Sequence, residues 1–552
     1  MTVEGLSAFS MRRREWLRAA LLVALIVVLG WLPYLVGYLS QNNQLLFSGL
    51  LFNAEDTNVY LAAMQQGWAG SGRFHLLYTP EVQPGMFIYM FYLMLGWLAR
   101  WIGWSVMTTY QVARIVADLG LSLTVYVFIA TFLPRAMRLS AFWLCTVASG
   151  LGWLVFLIVP AGPGGVSPID FWLMDGYTFF SQLFAPHFST AIMLLLIFFL
   201  AWRQHLRTSS ARSWGLAWLC LSGSFIVHPK IVPLAVSVTV WSWILLAWHD
   251  RRLPRREASS LALLGLAVSP WAGAYWLGTL RNPAMRVLVT QDVTMSPSPL
   301  HYISGYGILW PAAVLGARHV WQRRTSENLL LVAWPVAALS LAYFPMQIQR
   351  RMVTGLLIPL GILATIGLFT NLLPALYRSR WAAWIQSRLG YARRRIRLLG
   401  LNLFIALTLP STLYLLLSFC LAAAMHNSQL FFTRDEVEAI NWLQENSNDQ
   451  DVILSSYSTG NRLPAVTGRH VVWGHWNLTL DYETKRREVE RFFTAETSDE
   501  ERFGLLKRYH VSLLYFGPEE RAMGEFAPAK VSYLRQIFVY HDVSIYQITL
   551  PK

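Results

Sequence analysis

The sequence is dominated by apolar runs that each approach the length of a membrane-spanning helix. A helix needs about 20 predominantly apolar residues to cross about 30 Å of hydrocarbon. Backbone N–H and C=O groups find no water there, so spanning segments are confined to helices or closed barrels, and unbroken apolarity selects the helix. Twelve runs fit: 16–38, 85–103, 112–133, 139–160, 187–202, 214–227, 231–248, 261–280, 302–317, 329–344, 352–373 and 401–424. With 55% hydrophobic residues over 552, a soluble globule is excluded.

Charge orients the runs. The net charge of +15 comes almost wholly from Arg, and short cytoplasmic loops carry the Lys and Arg excess of a membrane protein. Basic clusters stand at Arg12, Arg13 and Arg14, at Arg135 and Arg138, and within residues 203–212, 251–256, 318–324 and 378–397. Two clusters on one side need an even number of spans between them, so one run between Arg14 and Arg135 must fail to cross. The weak one is 85–103, entered through Pro84 and broken by Gly96 and Gly103, which reads as re-entrant or interfacial. The expectation is a polytopic α-helical membrane protein with eleven spans, a retained first anchor and outer loops at 41–84, 161–186 and 281–301. Ala161-Gly-Pro-Gly-Gly165 reads as a short loop. Cys145, Cys220 and Cys420 lie singly in apolar runs, which indicates neither a disulfide framework nor a metal cluster. No basic helix or RNA-binding motif points to nucleic acid.

Residues 426–552 differ in composition. They are charged, lack a spanning run and alternate helical and strand patterns: helices over 434–445, 483–493 and 499–509, and strands over 452–456, 511–516, 536–540 and 544–549. The expectation is a small extracytoplasmic α/β domain following a transmembrane domain of residues 1–425. Two stretches rich in aromatic and polar residues, 457–462 and 472–482, read as loops able to reach an acceptor.

Candidate chemistry sits where charge breaks the membrane pattern. Glu55 and Asp56 are adjacent carboxylates just beyond the first run, and an acidic residue before 57–66 also suits a helix start. Lys and Arg on the outer side are costly near the bilayer, so Arg350 and Arg351, Lys230 and Arg114 point to a shared anionic ligand, a lipid phosphate being the anion at that depth. Arg donates two hydrogen bonds to phosphate from its planar fork. His187 and His228, at a span entrance and beside Lys230, are further candidates for phosphate or sugar. Trp68, Tyr78, Tyr306 and Trp310 read as an interfacial aromatic belt. Asp170 and Asp175 are too widely spaced for an Asp-x-Asp pair, so neither a divalent cation nor another cofactor is indicated.

A first span, a long acidic outer loop, later outer cations and an outer α/β domain resemble the GT-C class of integral-membrane glycosyltransferases. The likeness is closest to the protein O-mannosyltransferase-like and aminoarabinose-transferase-like branch, with Glu55-Asp56 and Arg114 at the matching positions. The resemblance implies a polyprenyl-phosphate-linked sugar donor and a protein, lipid or glycan acceptor; the outer placement and the lack of a Gly-rich nucleotide-binding turn point to a plasma membrane, an endoplasmic reticulum membrane having the same geometry. The resemblance also implies Asp56 as general base, Glu55 orienting it or the sugar, and inversion at the anomeric carbon. An oligosaccharyltransferase or polysaccharide polymerase shares the donor and differs in acceptor; the Trp-Trp-Asp-Tyr-Gly motif of the former is missing, despite Trp476 and Asp481-Tyr482. A transporter is disfavoured because no internal repeat is visible.

Overall fold

Long apolar runs become helices because only the helix pairs every backbone group within its own segment. The computed structural model describes residues 11–158, 168–323 and 328–549; the 161–165 loop and Arg324 lie outside them. Among the described residues, six helices are long and apolar enough to cross a membrane: Arg13–Ser40, Val106–Phe132, Pro186–Thr208, Pro229–Asp250, Arg255–Arg281 and Leu357–Arg378. A seventh arises if Arg393–Leu407 and Pro410–Ala424, bent by 48°, count as one span. The other runs give shorter or interrupted helices. Run 139–160 is broken after Thr146, run 302–317 is divided at Gly307, and run 329–344 yields the 14-residue helix Leu329–Ala342. The doubtful run 85–103 forms Met90–Ile102, whose 13 residues extend about 20 Å, less than the hydrocarbon thickness.

The chain divides into two compact units. One comprises Met1–Leu32, Arg114–Ala272 and Val293–Phe419. Its helices approach closely where side chains vanish: a Cβ on Gly316 would lie 1.9 Å from the Leu363 carbonyl oxygen, and one on Gly367 2.0 Å from that of Ala312. The helices Leu309–Gln322 and Leu357–Gly367 thus pack backbone to backbone, the small-residue contact favoured where no hydrophobic force operates between apolar helices.

The second unit comprises Pro33–Ala113, Gly273–Asp292 and Cys420–Lys552. Its five-stranded sheet runs in the order His470–Val471, Val452–Leu454, Leu513–Phe516, Val543–Ile548, Leu534–Tyr540. The first three strands are parallel, and the last two form an antiparallel hairpin edge. Helices Arg434–Asn446, Tyr482–Phe492 and Asp499–Arg508 fall where the periodicity predicts them. Residues 457–462 do not form the expected loop: they open the helix Tyr457–Thr467, capped by Ser456, whose hydroxyl accepts from Thr459 N–H. Gly460 and Pro464 disguise that helix in the sequence.

The α/β tail shares its core with residues 41–84. Leu61, Ala62, Phe74 and Tyr78 pack in one cluster with Ile453, Leu463, Tyr515 and Val543. Strand Leu45–Phe47 pairs antiparallel with Phe431–Thr433, and Val471 N–H donates to the Leu77 carbonyl at 2.9 Å. Loop and tail therefore form one unit, where the sequence suggested a boundary at residue 425.

Candidate active site

The helix Ala54–Trp68 carries the adjacent carboxylates in its first turn, where the unpaired N–H groups of a helix start favour negative charge. Asn53 is the cap, in the left-handed region at φ 46°. Its amide donates to Asp56 Oδ2 at 2.6 Å while its carbonyl oxygen accepts from Asp56 N–H. The helix start expected for the acidic pair is present, but Asn53 caps it and Asp56 is held from behind.

Asp56 Oδ1 lies 3.3 Å from His475 Nε2, and the Asp56 side chain stays 31% exposed while that of His475 is 3% exposed. Glu55 accepts from the Tyr457 hydroxyl at 3.2 Å, and its backbone carbonyl accepts from Asn461 Nδ2 at 3.4 Å. Asn461 in turn accepts from Asn58 Nδ2 at 2.7 Å, so the start of Tyr457–Thr467 is stitched to the helix bearing the carboxylates. Burial, and then the Glu55 carboxylate, push the Tyr457 phenol up, which keeps it a neutral donor. Tyr78 is not part of an interfacial belt: it is fully buried, donates to the Asn461 carbonyl at 3.3 Å and lies 5.8 Å from the His475 ring.

The cationic residues belong to the other unit. Arg350 and Arg351 sit on the short turn Gln349–Val353. Arg351 Nη1 reaches both oxygens of Asp175, at 2.9 and 2.8 Å, and Asp175 is fully buried. The Arg351 guanidinium lies 5.7 Å from the Phe188 ring, and that of Arg350 lies 5.6 Å from the Trp172 ring. The His187 and His228 rings are 5.2 Å apart, and Arg351 and Lys230 are near enough to act electrostatically on His228. The structure thus gathers Arg351 from the turn Gln349–Val353, His228 and Lys230 from the turn before the helix Val232–Asp250, and His187 from the first turn of the helix Pro186–Thr208.

Arg114 has a different set of neighbours. It lies inside Val106–Phe132 rather than opening it, 3.9 Å from Asp118 and 3.4 Å from the Gln182 carbonyl oxygen. Asp170, weighed only as a metal ligand, accepts from Gly150 N–H at 3.2 Å and Gly152 N–H at 3.1 Å. Tyr306 is also a core residue, stacked on Tyr177 at 5.1 Å.

Three residues escaped the sequence reading. Asn53 lay beside the motif without being chosen, His475 lay within the aromatic stretch 472–482, and Asp175 was read for metal rather than for Arg351. Only the second had a signal, the density of polar groups around it.

No protein-family model matches this chain, and no curated protein matches its sequence. Solved structures do. The archaeal oligosaccharyltransferase AglB from Archaeoglobus fulgidus, in complex with an inhibitory peptide and a dolichol-phosphate, is similar with a TM-score of 0.52 at 12% identity, covering 92% of this chain and 70% of that one. ArnT from Cupriavidus metallidurans, bound to undecaprenyl phosphate, is similar with a TM-score of 0.51 at 11% identity, covering 97% and 98%. The fold is that of the GT-C glycosyltransferases. The mycobacterial arabinofuranosyltransferase AftD shares the GT-C fold with a TM-score of 0.54 at 13% identity, covering 98% of this chain and 40% of its own. At such identities the GT-C likeness is one of architecture, and the chemistry rests on the residues described above.

Proposed function

We propose that this chain is a GT-C membrane glycosyltransferase that moves a sugar from a polyprenyl-phosphate donor to a hydroxyl acceptor at the outer face of a plasma membrane. The observation that carries the reading is Asp56, a partly exposed carboxylate on a helix N-terminus with a hydrogen-bond donor at each oxygen. A carboxylate is an acceptor at both oxygens, the chemistry a proton-accepting base requires. In the reaction the acceptor oxygen bonds to the anomeric carbon as its proton passes to Asp56, and the bond from that carbon to the phosphate oxygen breaks. The polyprenyl phosphate leaves with the electron pair, and a single displacement inverts the centre.

The leaving phosphate calls for preorganised cations in a water-poor setting. Arg350, Arg351 and Lys230 are assigned to it, with His187 and His228 beside them; Asp175 fixes Arg351 in place. AglB bound to dolichol-phosphate and ArnT bound to undecaprenyl phosphate support a lipid-phosphate donor. A groove of about 760 Å³, lined by Tyr457, Trp473, Arg487, Glu490, Arg491 and Glu519, adjoins the hydroxyl that holds Glu55 and supports delivery of the acceptor from the tail. Rings beside mixed charges suit a hydroxyl-rich acceptor.

The test is to offer protein in lipid nanodiscs a panel of radiolabelled polyprenyl-phosphate sugars together with membrane extract. The reading expects label transfer and release of polyprenyl phosphate from at least one member. Transfer from nucleotide sugars and from none of the lipid donors would overturn it.

A further inference from the structure

We propose that His475 is a positioning residue for Asp56, an assignment that rests on the base role given to that carboxylate. A neutral imidazole has one nitrogen that donates and one that accepts. The backbone N–H of Asn477 is a donor only, and it reaches His475 Nδ1 at 3.2 Å. The ring proton therefore sits on Nε2, which points at Asp56 Oδ1 3.3 Å away. The opposite tautomer would set a ring lone pair against the carboxylate.

The ring is itself fixed. Thr479 Oγ1 accepts from the backbone N–H groups of both Gly474 and His475 at 3.3 Å, and the rings of Tyr78 and Trp476 lie 5.8 and 5.9 Å away. With Asn53 donating to Oδ2 and His475 to Oδ1, both oxygens of Asp56 are pinned and the carboxylate plane is set. His475 is not the base itself. One nitrogen faces Asp56 and the other faces Asn477, so no ring atom is turned toward an acceptor hydroxyl. A residue of the α/β tail thereby orients a carboxylate that lies 419 positions earlier in the chain.

Among the described residues, the titratable groups near Asp56 include the adjacent Glu55, His475, Tyr78 and Tyr89. Burial raises both phenols, with the charge of Asp56 adding to it, so the tyrosines stay neutral through the working range. Loss of the His475 donor removes a bond that favours ionised Asp56, which moves its protonation to higher pH.

The experiment compares full-length His475→Ala, His475→Gln and Asp56→Asn in nanodiscs. It uses a radiolabelled polyprenyl-phosphate sugar that the wild type accepts, with membrane extract as acceptor. His475→Ala is expected to lower kcat about 10- to 100-fold with the donor KM unchanged. Its acid limb should move to higher pH. His475→Gln, whose amide N–H replaces the Nε2 donor, is expected to recover most of the turnover and the wild-type acid limb. Wild-type turnover and acid limb in His475→Ala, with Asp56→Asn inactive, would overturn the positioning role and leave the base role standing. Equal losses in both His475 variants with an unmoved acid limb would reduce His475 to a structural residue. An active Asp56→Asn would overturn the base role instead.

Discussion

Arg351 and Arg350 differ in what their removal tests. Arg351 is bonded to a fully buried carboxylate, and breaking such a pair strands Asp175 at a cost of about 3–5 kcal/mol. Arg351→Gln is therefore expected to lower the melting temperature as well as donor binding, and thermal unfolding in nanodiscs would register it. Arg350 packs over the Trp172 ring. Arg350→Gln is expected to weaken binding of a labelled polyprenyl phosphate about tenfold, about 1.4 kcal/mol. Unaltered lipid affinity would remove Arg350 from the phosphate site. The sequence made the two cations legible through their position, but Asp175 lies 176 residues from Arg351, and no local pattern announces such a partner.

At the scale of elements, two joints order the site, one within the tail and one between the tail and the carboxylate loop. A Cβ on Gly460 would meet the Trp473 carbonyl oxygen at 2.0 Å, and one on Gly474 would meet that of Gly460 at 2.3 Å, so the helix Tyr457–Thr467 and the stretch carrying His475 touch through bare backbone. Gly460→Ala must push that stretch away. It is expected to cost about 1–3 kcal/mol and most of the transfer activity, read by thermal melting and sugar transfer together.

The second joint is Lys485, buried at its amine, which donates to Glu81 at 2.6 Å and to Thr79 at 2.7 Å. Burial raises the Glu81 carboxyl, but the bonds from Lys485 and Thr79 outweigh it and hold the group below its ordinary value of 4.5. A depressed carboxyl contributes stability above its unfolded value, and that contribution is lost as pH falls through the folded one. Hydrogen exchange in residues 73–86 is expected to rise on acidification below about pH 4.5 in the wild type. In Glu81→Gln it is expected to be raised already at neutral pH, with little further change. Equal protection in both proteins at pH 7 would contradict the joint. Strands and helices of the tail were legible because their periodicity is local, whereas Tyr457–Thr467 was hidden by Gly460 and Pro464 and is fixed by contacts with Glu55 and Asn58 some 400 residues away.

Across the whole molecule, hydropathy specified a polytopic helical membrane protein, and the fold of GT-C glycosyltransferases agrees. Span number was less legible, because breaks at Gly307 and Pro410 and short helices such as Leu329–Ala342 depend on packing that hydropathy does not record. Orientation is open to a direct check. In a Cys420→Ser background, Gln450→Cys on the tail is expected to react with a membrane-impermeant maleimide in intact cells, and Ser209→Cys, beside a basic cluster, only after permeabilisation. The reverse pattern would invert the topology.

The central claim is that Asp56 takes the acceptor proton. Its most direct test is Asp56→Asn, which preserves shape and removes the base. Loss of sugar transfer with undiminished binding of the polyprenyl-phosphate donor is the expected result. Near-normal turnover would take Asp56 out of the mechanism.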